Sequence, residues 1–270
     1  MSWSKRSVKI LMGGVLIAIA CTLSLSKCYA KELSGKDILK KMMDIGNRSI
    51  DSIAKARMIL THKDGSKIER VIESFRLNLK NGSSKSLIAF RSPADIKGTA
   101  LLVWSYKDKD DEQWLYLPAY NRIRKIASSG KGESFAGSDF SYGDMEEQDL
   151  KDFTYTRLDN TKEKSYTCYV VEAKPKKDTH QYSKYIYYVD QETFLPAKIE
   201  FYGWYKKDKP IKIAFCDEFR DIKGIPTIFS LEMHNIGKNH KTKLLMDEVK
   251  YDTGLKESFF TKRYLKRGGM

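Results

Sequence analysis

The sequence predicts a mainly β protein of the α+β class: an antiparallel meander of about eleven strands opened by a single helix. Three observations lead there. Apolar and polar residues alternate with period two through nearly all of the chain after residue 50. The alternating runs are joined by short turns such as Lys63-Asp64-Gly65-Ser66 and Asn81-Gly82, which carry hairpin chemistry. No helical pattern separates consecutive runs, which disfavours a parallel α/β sheet.

The first thirty of the 270 residues stand apart. Lys5, Arg6 and Lys9 precede an apolar run from Ile10 to Ala20, and Cys28-Tyr29-Ala30 offers small residues at positions −3 and −1 of a cut after Ala30. This reads as a cleavable secretory signal. The apolar run is too short for a membrane anchor, which needs about 20 residues. A rival reading lipidates Cys21 in Ala18-Ile19-Ala20-Cys21. Cleavage leaves residues 31–270 as one domain, since no Pro-, Gly- or Ser-rich linker divides it. The formal charge falls from +14 to +10, with 45 bases against 35 acids. Two cysteines remain, Cys168 and Cys216, on strands expected three sheet steps apart. Steps of about 4.8 Å put them beyond disulfide reach.

Ser34 and Asp37 form a capping box before Ile38, Leu39, Met42 and Ile45, and Gly46 ends that helix. Met58 and Leu60 then face one way, and Lys55 and Arg57 the other. Phe75, Leu77 and Leu79 oppose Arg70, Arg76 and Asn78. Residues 99–106 are nearly all apolar, as in a strand covered on both faces. A second series of strands runs from 153 to 251, including 211–219 and 225–235.

Residues 119–150 interrupt the meander. They hold Ser128-Ser129-Gly130-Lys131-Gly132 and then an aromatic stretch with Phe135, Phe140 and Tyr142. A loop of this length inside a domain is functional or mobile. It fits a lid or plug whose three aromatics enter a cavity, or equally an ordered surface loop with an aromatic anchor. Asp139, Asp144, Glu146, Glu147 and Asp149 fit the first turn of a helix near Tyr142 to Leu150 better than a calcium loop.

Catalytic signatures are absent: there is no nucleophile elbow, phosphate loop, dinucleotide fingerprint or His-Glu-x-x-His. His62, His180, His234 and His240 are scattered and read as surface histidines. No enzyme, cofactor or metal is expected. Residues 237–270 carry nine Lys or Arg against four Asp or Glu. Lys262, Arg263, Lys266 and Arg267 gather at an expected C-terminal helix and suit an anionic lipid surface or a solvated tail. Nucleic acid is not an expected partner of an exported chain with no binding module.

Twelve Phe, sixteen Tyr and four Trp fall mostly in the strands. So few helices cannot cover such a sheet, which must close, stack on a second sheet or leave a hydrophobic cavity. The residues expected to line that cavity are Met58, Leu60, Phe75, Leu77, Leu79, Leu102, Trp104, Trp114, Tyr116, Phe201, Phe229 and Leu231.

Several stretches resemble LolA-like outer-membrane lipoprotein-sorting proteins. They are the opening Lys31 to Leu39, Lys97-Gly98-Thr99-Ala100-Leu101-Leu102, Trp114-Leu115-Tyr116-Leu117-Pro118 and Arg122 to Ile126. The most specific is Ser134-Phe135-Ala136-Gly137-Ser138-Asp139-Phe140-Ser141-Tyr142-Gly143-Asp144, and Phe259 to Leu265 resembles the family's ending. The resemblance implies a strongly curved, half-open β-barrel. Its hydrophobic concave face would be capped by helices and loops and carry acyl chains of lipids or lipoproteins across a Gram-negative periplasm. It also implies a latch arginine, which no motif places here; Arg122 and Arg124 are the candidates. A monomeric carrier that sequesters hydrocarbon without covalent chemistry is the reading that follows. The competing reading is an envelope interaction protein that docks on an inner-membrane lipid exporter of the RND type and carries nothing.

Overall fold

The computed structural model describes residues 32–205 and 208–268. The signal expected over residues 1–30, with its cut after Ala30 and the alternative site Cys21, lies outside the described residues. Residues from Leu33 onward make one compact unit.

Among the described residues, thirteen strands form one antiparallel sheet. They are β1 (Asp51–Thr61), β2 (Lys67–Asn78), β3 (Ser84–Ser92), β4 (Ala100–Ser105), β5 (Glu112–Leu117) and β6 (Arg122–Lys125). The second series is β7 (Phe153–Glu163), β8 (Tyr166–Pro175), β9 (Lys184–Asp190), β10 (Pro196–Tyr202), β11 (Lys212–Ile222), β12 (Ile225–Asn235) and β13 (His240–Tyr251). The count exceeds the expected eleven or so. One addition, β6, sits inside the interruption, where Arg-Ile-Arg-Lys is too short and too charged to announce a strand.

The chain walks outward from β1 to β6, restarts at β7 on the far edge and walks back to β13, which pairs with β1. The sheet therefore stays open, with β6 and β7 at opposite edges. These two strands are neighbours in sequence, so the segment between them must cross from edge to edge. That topology, and not a special loop sequence, obliges the insert to bridge the groove. Register shifts at Lys55/Ala56, Val71/Ile72, Leu158/Thr161 and Pro196/Lys198 mark bulges, which add bend and twist.

Helix α1 (Gly35–Gly46) starts where the capping box placed it, the Asp37 N–H donating to Ser34 Oγ at 3.2 Å. Its buried Ile38 and Leu39 pack with Val171, Tyr187 and Val189 of β8 and β9. Gly35 permits this approach, because a Cβ there would lie 3.0 Å from Val171 Cγ1. Helix α2 (Lys262–Leu265) is a single turn capped by Thr261, in the region where a C-terminal helix was expected. No α-helix forms over Tyr142 to Leu150. Two isolated 3-10 turns, Gly143–Met145 and Leu150–Asp152, stand there instead. Of the acidic side chains that looked like helix-dipole partners, Asp139, Asp144 and Glu147 bond to the sheet, Glu146 pairs with Lys131, and Asp149 accepts from the Lys151 N–H to cap the second turn.

Cys168 on β8 and Cys216 on β11 lie three strands apart, both free and buried. Burial pushes the Cys168 thiol up to about 11 and the Cys216 thiol up to about 12. At the opposite end of β1, Asp51 roots the C-terminal segment. Its carboxylate accepts from the Thr253 hydroxyl (2.6 Å) and from the N–H groups of Thr253, Gly254 and Leu255. Burial works against the charge, but these bonds outweigh it and hold the carboxyl below its ordinary range.

Candidate functional site: a plugged groove

Register assigns the groove face strand by strand. Met58 of β1 lies opposite Leu244 of β13 and Arg70 of β2, and Leu231 of β12 lies opposite Leu244. One apolar cluster on this face joins Ala56, Met58, Leu60, Ile72, Phe90, Leu101, Val103 and Leu115. A second joins Phe153, Val171, Tyr185, Tyr187, Phe201, Ala214 and Met233, with Leu231 packed against it.

The insert fills the groove. Phe135 is fully buried in the first cluster with Tyr142, while Phe140 enters the second. The Phe135 ring lies 5.5 Å from that of Phe90 and 5.8 Å from that of Tyr142. All three rings are buried against the sheet, so the insert plugs the groove.

Polar groups pin this plug to both halves of the sheet. On one half, Arg70 of β2 donates to the Ala136 carbonyl, and Gln113 of β5 donates to the Tyr142 carbonyl at 2.9 Å. On the other, Asp139 accepts from Thr242 Oγ1 at 2.7 Å and meets His240 Nδ1 at 2.6 Å. Asp144 accepts from the Tyr182 hydroxyl (2.8 Å) and pairs with Lys212 (3.0 Å). The Tyr182 phenol is strongly raised, by burial first and by the Asp144 charge second. At the plug's far end Glu147 accepts from Arg76 and from Ser84.

Three expectations change here. Arg70 and Arg76 of β2 are arginines that bond the insert, at the Ala136 carbonyl and at Glu147; Arg124 pairs at 3.4 Å with Glu133, both half exposed, and Arg122 is exposed. His240 is no surface histidine, its side chain being 12% exposed and engaged by Asp139. Among the twelve expected lining residues, Met58, Leu60, Phe201 and Leu231 pack in the two groove clusters. Phe229 is buried beneath Arg220, whose guanidinium lies 4.1 Å from the ring centroid.

The other seven, Phe75, Leu77, Leu79, Leu102, Trp104, Trp114 and Tyr116, lie on the outer face. There they pack under a C-terminal strap, with Phe259, Phe260 and Leu265 above them. Trp104 Nε1 donates to the Phe260 carbonyl at 2.9 Å. The physical reason is that on β2 the groove face mixes Ile72 with Arg70, Ser74 and Arg76, while Phe75 and Leu77 point outward. Apolar alternation identifies a covered face but not which cover it has.

Lys262, Arg263, Lys266 and Arg267 are exposed on the strap, where the buried Phe260 and Leu265 hold them in place. Among the described residues no cluster of three or more His, Cys, Asp or Glu is placed to hold a metal ion, and no helix is long and apolar enough to cross a membrane.

A family model described as "Uncharacterized protein" matches residues 82–267. A DUF1329 family protein from Desulfovibrio piger is 30% identical over 86% of this chain and 97% of its own, with a TM-score of 0.81. An outer membrane lipoprotein-sorting protein domain from Vibrio parahaemolyticus is 28% identical over 86% of this chain and 98% of its own, also at 0.81. A LolA superfamily protein from Nitrosomonas europaea shares the fold at 20% identity and a TM-score of 0.67, with 86% of this chain and all of its own covered. No curated protein matches the sequence.

Proposed function

This chain belongs to the DUF1329 family and has a LolA-like fold, and we propose that it is a periplasmic carrier of lipid or lipoprotein acyl chains. The observation that carries this reading is the plug. Three aromatic side chains of one insert occupy the groove, and side-chain bonds hold that insert to the sheet. Hydrocarbon takes their place when the insert lifts.

The magnitudes favour a reversible exchange. A sixteen-carbon chain leaving water gains about 12 kcal/mol at ~0.8 per CH₂. Exposing Phe135, Phe140 and Tyr142 costs about 7 kcal/mol, and breaking their polar anchors costs about 1 kcal/mol each. The two sides nearly balance, which suits a protein that must release what it binds. The likeness to a lipoprotein-sorting domain supports the same reading, and with it a cell-envelope setting.

Native mass spectrometry of protein purified from the envelope is the test. Bound lipid, or uptake of a fluorescent fatty acid by the stripped protein, is expected. A clean mass with no uptake would end the carrier reading. The rigidly held strap bases favour a companion role, docking on an anionic membrane surface. Changing Lys262, Arg263, Lys266 and Arg267 together to Ser should abolish sedimentation with phosphatidylglycerol vesicles without altering Tm; unchanged sedimentation rules that role out.

A further inference from the structure

Beside the plug lies an open cleft of about 520 Å³, within the usual range for small-ligand sites. Met42, Met43 and Ile45 of α1 line one side, and Leu195, Ile225 and Ile228 contribute to the rest. Ile45, Leu195 and Ile225 are themselves buried together, so the cleft has a fixed apolar wall. One cation and one anion share the lining: Arg76 and Glu147.

These two are paired to each other. Arg76 is held by its neighbours, donating from Nε to Asn78 at 3.0 Å. The Asn78 amide in turn donates to the carbonyls of Gly46 and Ser49 at the end of α1. The guanidinium is thus built into the scaffold that forms the cleft. Glu147 sits at the plug's trailing end, exposed at the mouth of the cleft, where its carboxylate also accepts from Ser84 and its N–H donates to Asp111 at 3.3 Å. Glu147 is therefore the chain's own anion on Arg76, exposed and carried by the insert, so that a ligand anion can reach the same guanidinium from the cleft.

We propose that this cleft is the entry site for a single-chain anionic amphiphile, whose head replaces Glu147 on Arg76 while its chain lies against α1 and β12. The exchange removes the Arg76 bond and leaves those to Ser84 and Asp111, so that head recognition loosens the trailing end of the plug and favours its release. This deepens the acyl-carrier reading and rests on it. It adds that the cargo arrives with a negative head, carboxylate or phosphate.

Calorimetric titration of the full chain with laurate, dodecyl phosphate and uncharged dodecyl maltoside tests it. Both anions should bind about ten-fold more tightly than the maltoside, the value of one charge-assisted bond, and the tighter of the two names the head. Arg76→Gln should erase the difference, Arg76→Lys should restore part of it, and Glu147→Gln should tighten both anions by removing the internal competitor. Equal binding of charged and uncharged ligands, or no response to either Arg76→Gln or Glu147→Gln, overturns the proposal. If binding persists but only Leu231→Glu abolishes it, the entry site fails while the groove reading stands. If none of the three ligands binds, both fail.

Discussion

The two faces of the β1–β5 half both bury apolar side chains, one under the strap with its short helix α2 and the other under the plug, yet they are covered in different ways. The strap over the outer face continues directly from β13, is rooted by four bonds to Asp51, and sinks Phe260 and Leu265 completely. The plug over the groove reaches across two sheet halves and is pinned by Arg70, Gln113, Asp139, Asp144 and Glu147. Both covers combine buried hydrocarbon with polar bonds, the strap adding Trp104 to the Phe260 carbonyl and a Lys85–Glu257 pair at 2.7 Å. They differ in reach: the strap is bonded to β1, β3 and β4 of one sheet half, whereas the plug's anchors are spread over both halves. On the proposed function the plug is the cover that exchanges and the strap the one that stays.

That contrast can be broken by substitution. The largest effect is expected for Phe260→Ala, which removes a fully buried ring and should cost about 3–5 kcal/mol. At ~2–4 °C per kcal/mol for a domain of this size, Tm falls by roughly 10 °C in a calorimetric scan. Acyl affinity measured below that Tm should not rise. Phe135→Ala removes an equally buried ring, but from the plug. Its loss in Tm should be similar in kind, while fatty-acid uptake becomes faster because the groove is partly vacated. Equal uptake in the two variants would erase the distinction between the covers.

Smaller effects follow from polar groups. Asp139→Asn weakens the bond to His240 and should destabilise by about 1–3 kcal/mol, with faster uptake seen in stopped-flow fluorescence. Asp51 acts on the strap side. Its folded carboxyl is held below the ordinary range, so its contribution is complete above the unfolded pKa and is lost as pH falls through the folded one. Urea unfolding of Asp51→Asn should show a smaller loss of stability on acidification than the parent. A steeper loss would contradict that assignment.

Much of the frame was legible in the sequence. Ser34 and Asp37 marked the helix start, period-two alternation marked the strands, and the stretch from Ser134 to Asp144 marked the element that fills the groove. Face assignment was not legible on β2 to β5. On β2 the groove face mixes Ile72 with Arg70 and Arg76, polar groups that bond the plug but look like solvent exposure in a linear pattern; on β4 and β5 both faces are apolar, with Leu101, Val103 and Leu115 toward the groove and Leu102 and Trp114 toward the strap. His240 and Asp139 were opaque for a related reason, since they are 101 residues apart and meet only because β13 returns beside β1.

Hydrogen–deuterium exchange with and without a bound acyl chain tests the central claim most directly. Peptides spanning 131–147 should lose protection when the chain binds, because Phe135, Phe140 and Tyr142 leave the groove. Peptides spanning 255–268 should stay as protected as before. Protection of the plug that is unchanged or increased on binding, or exposure of the strap instead, would contradict the account.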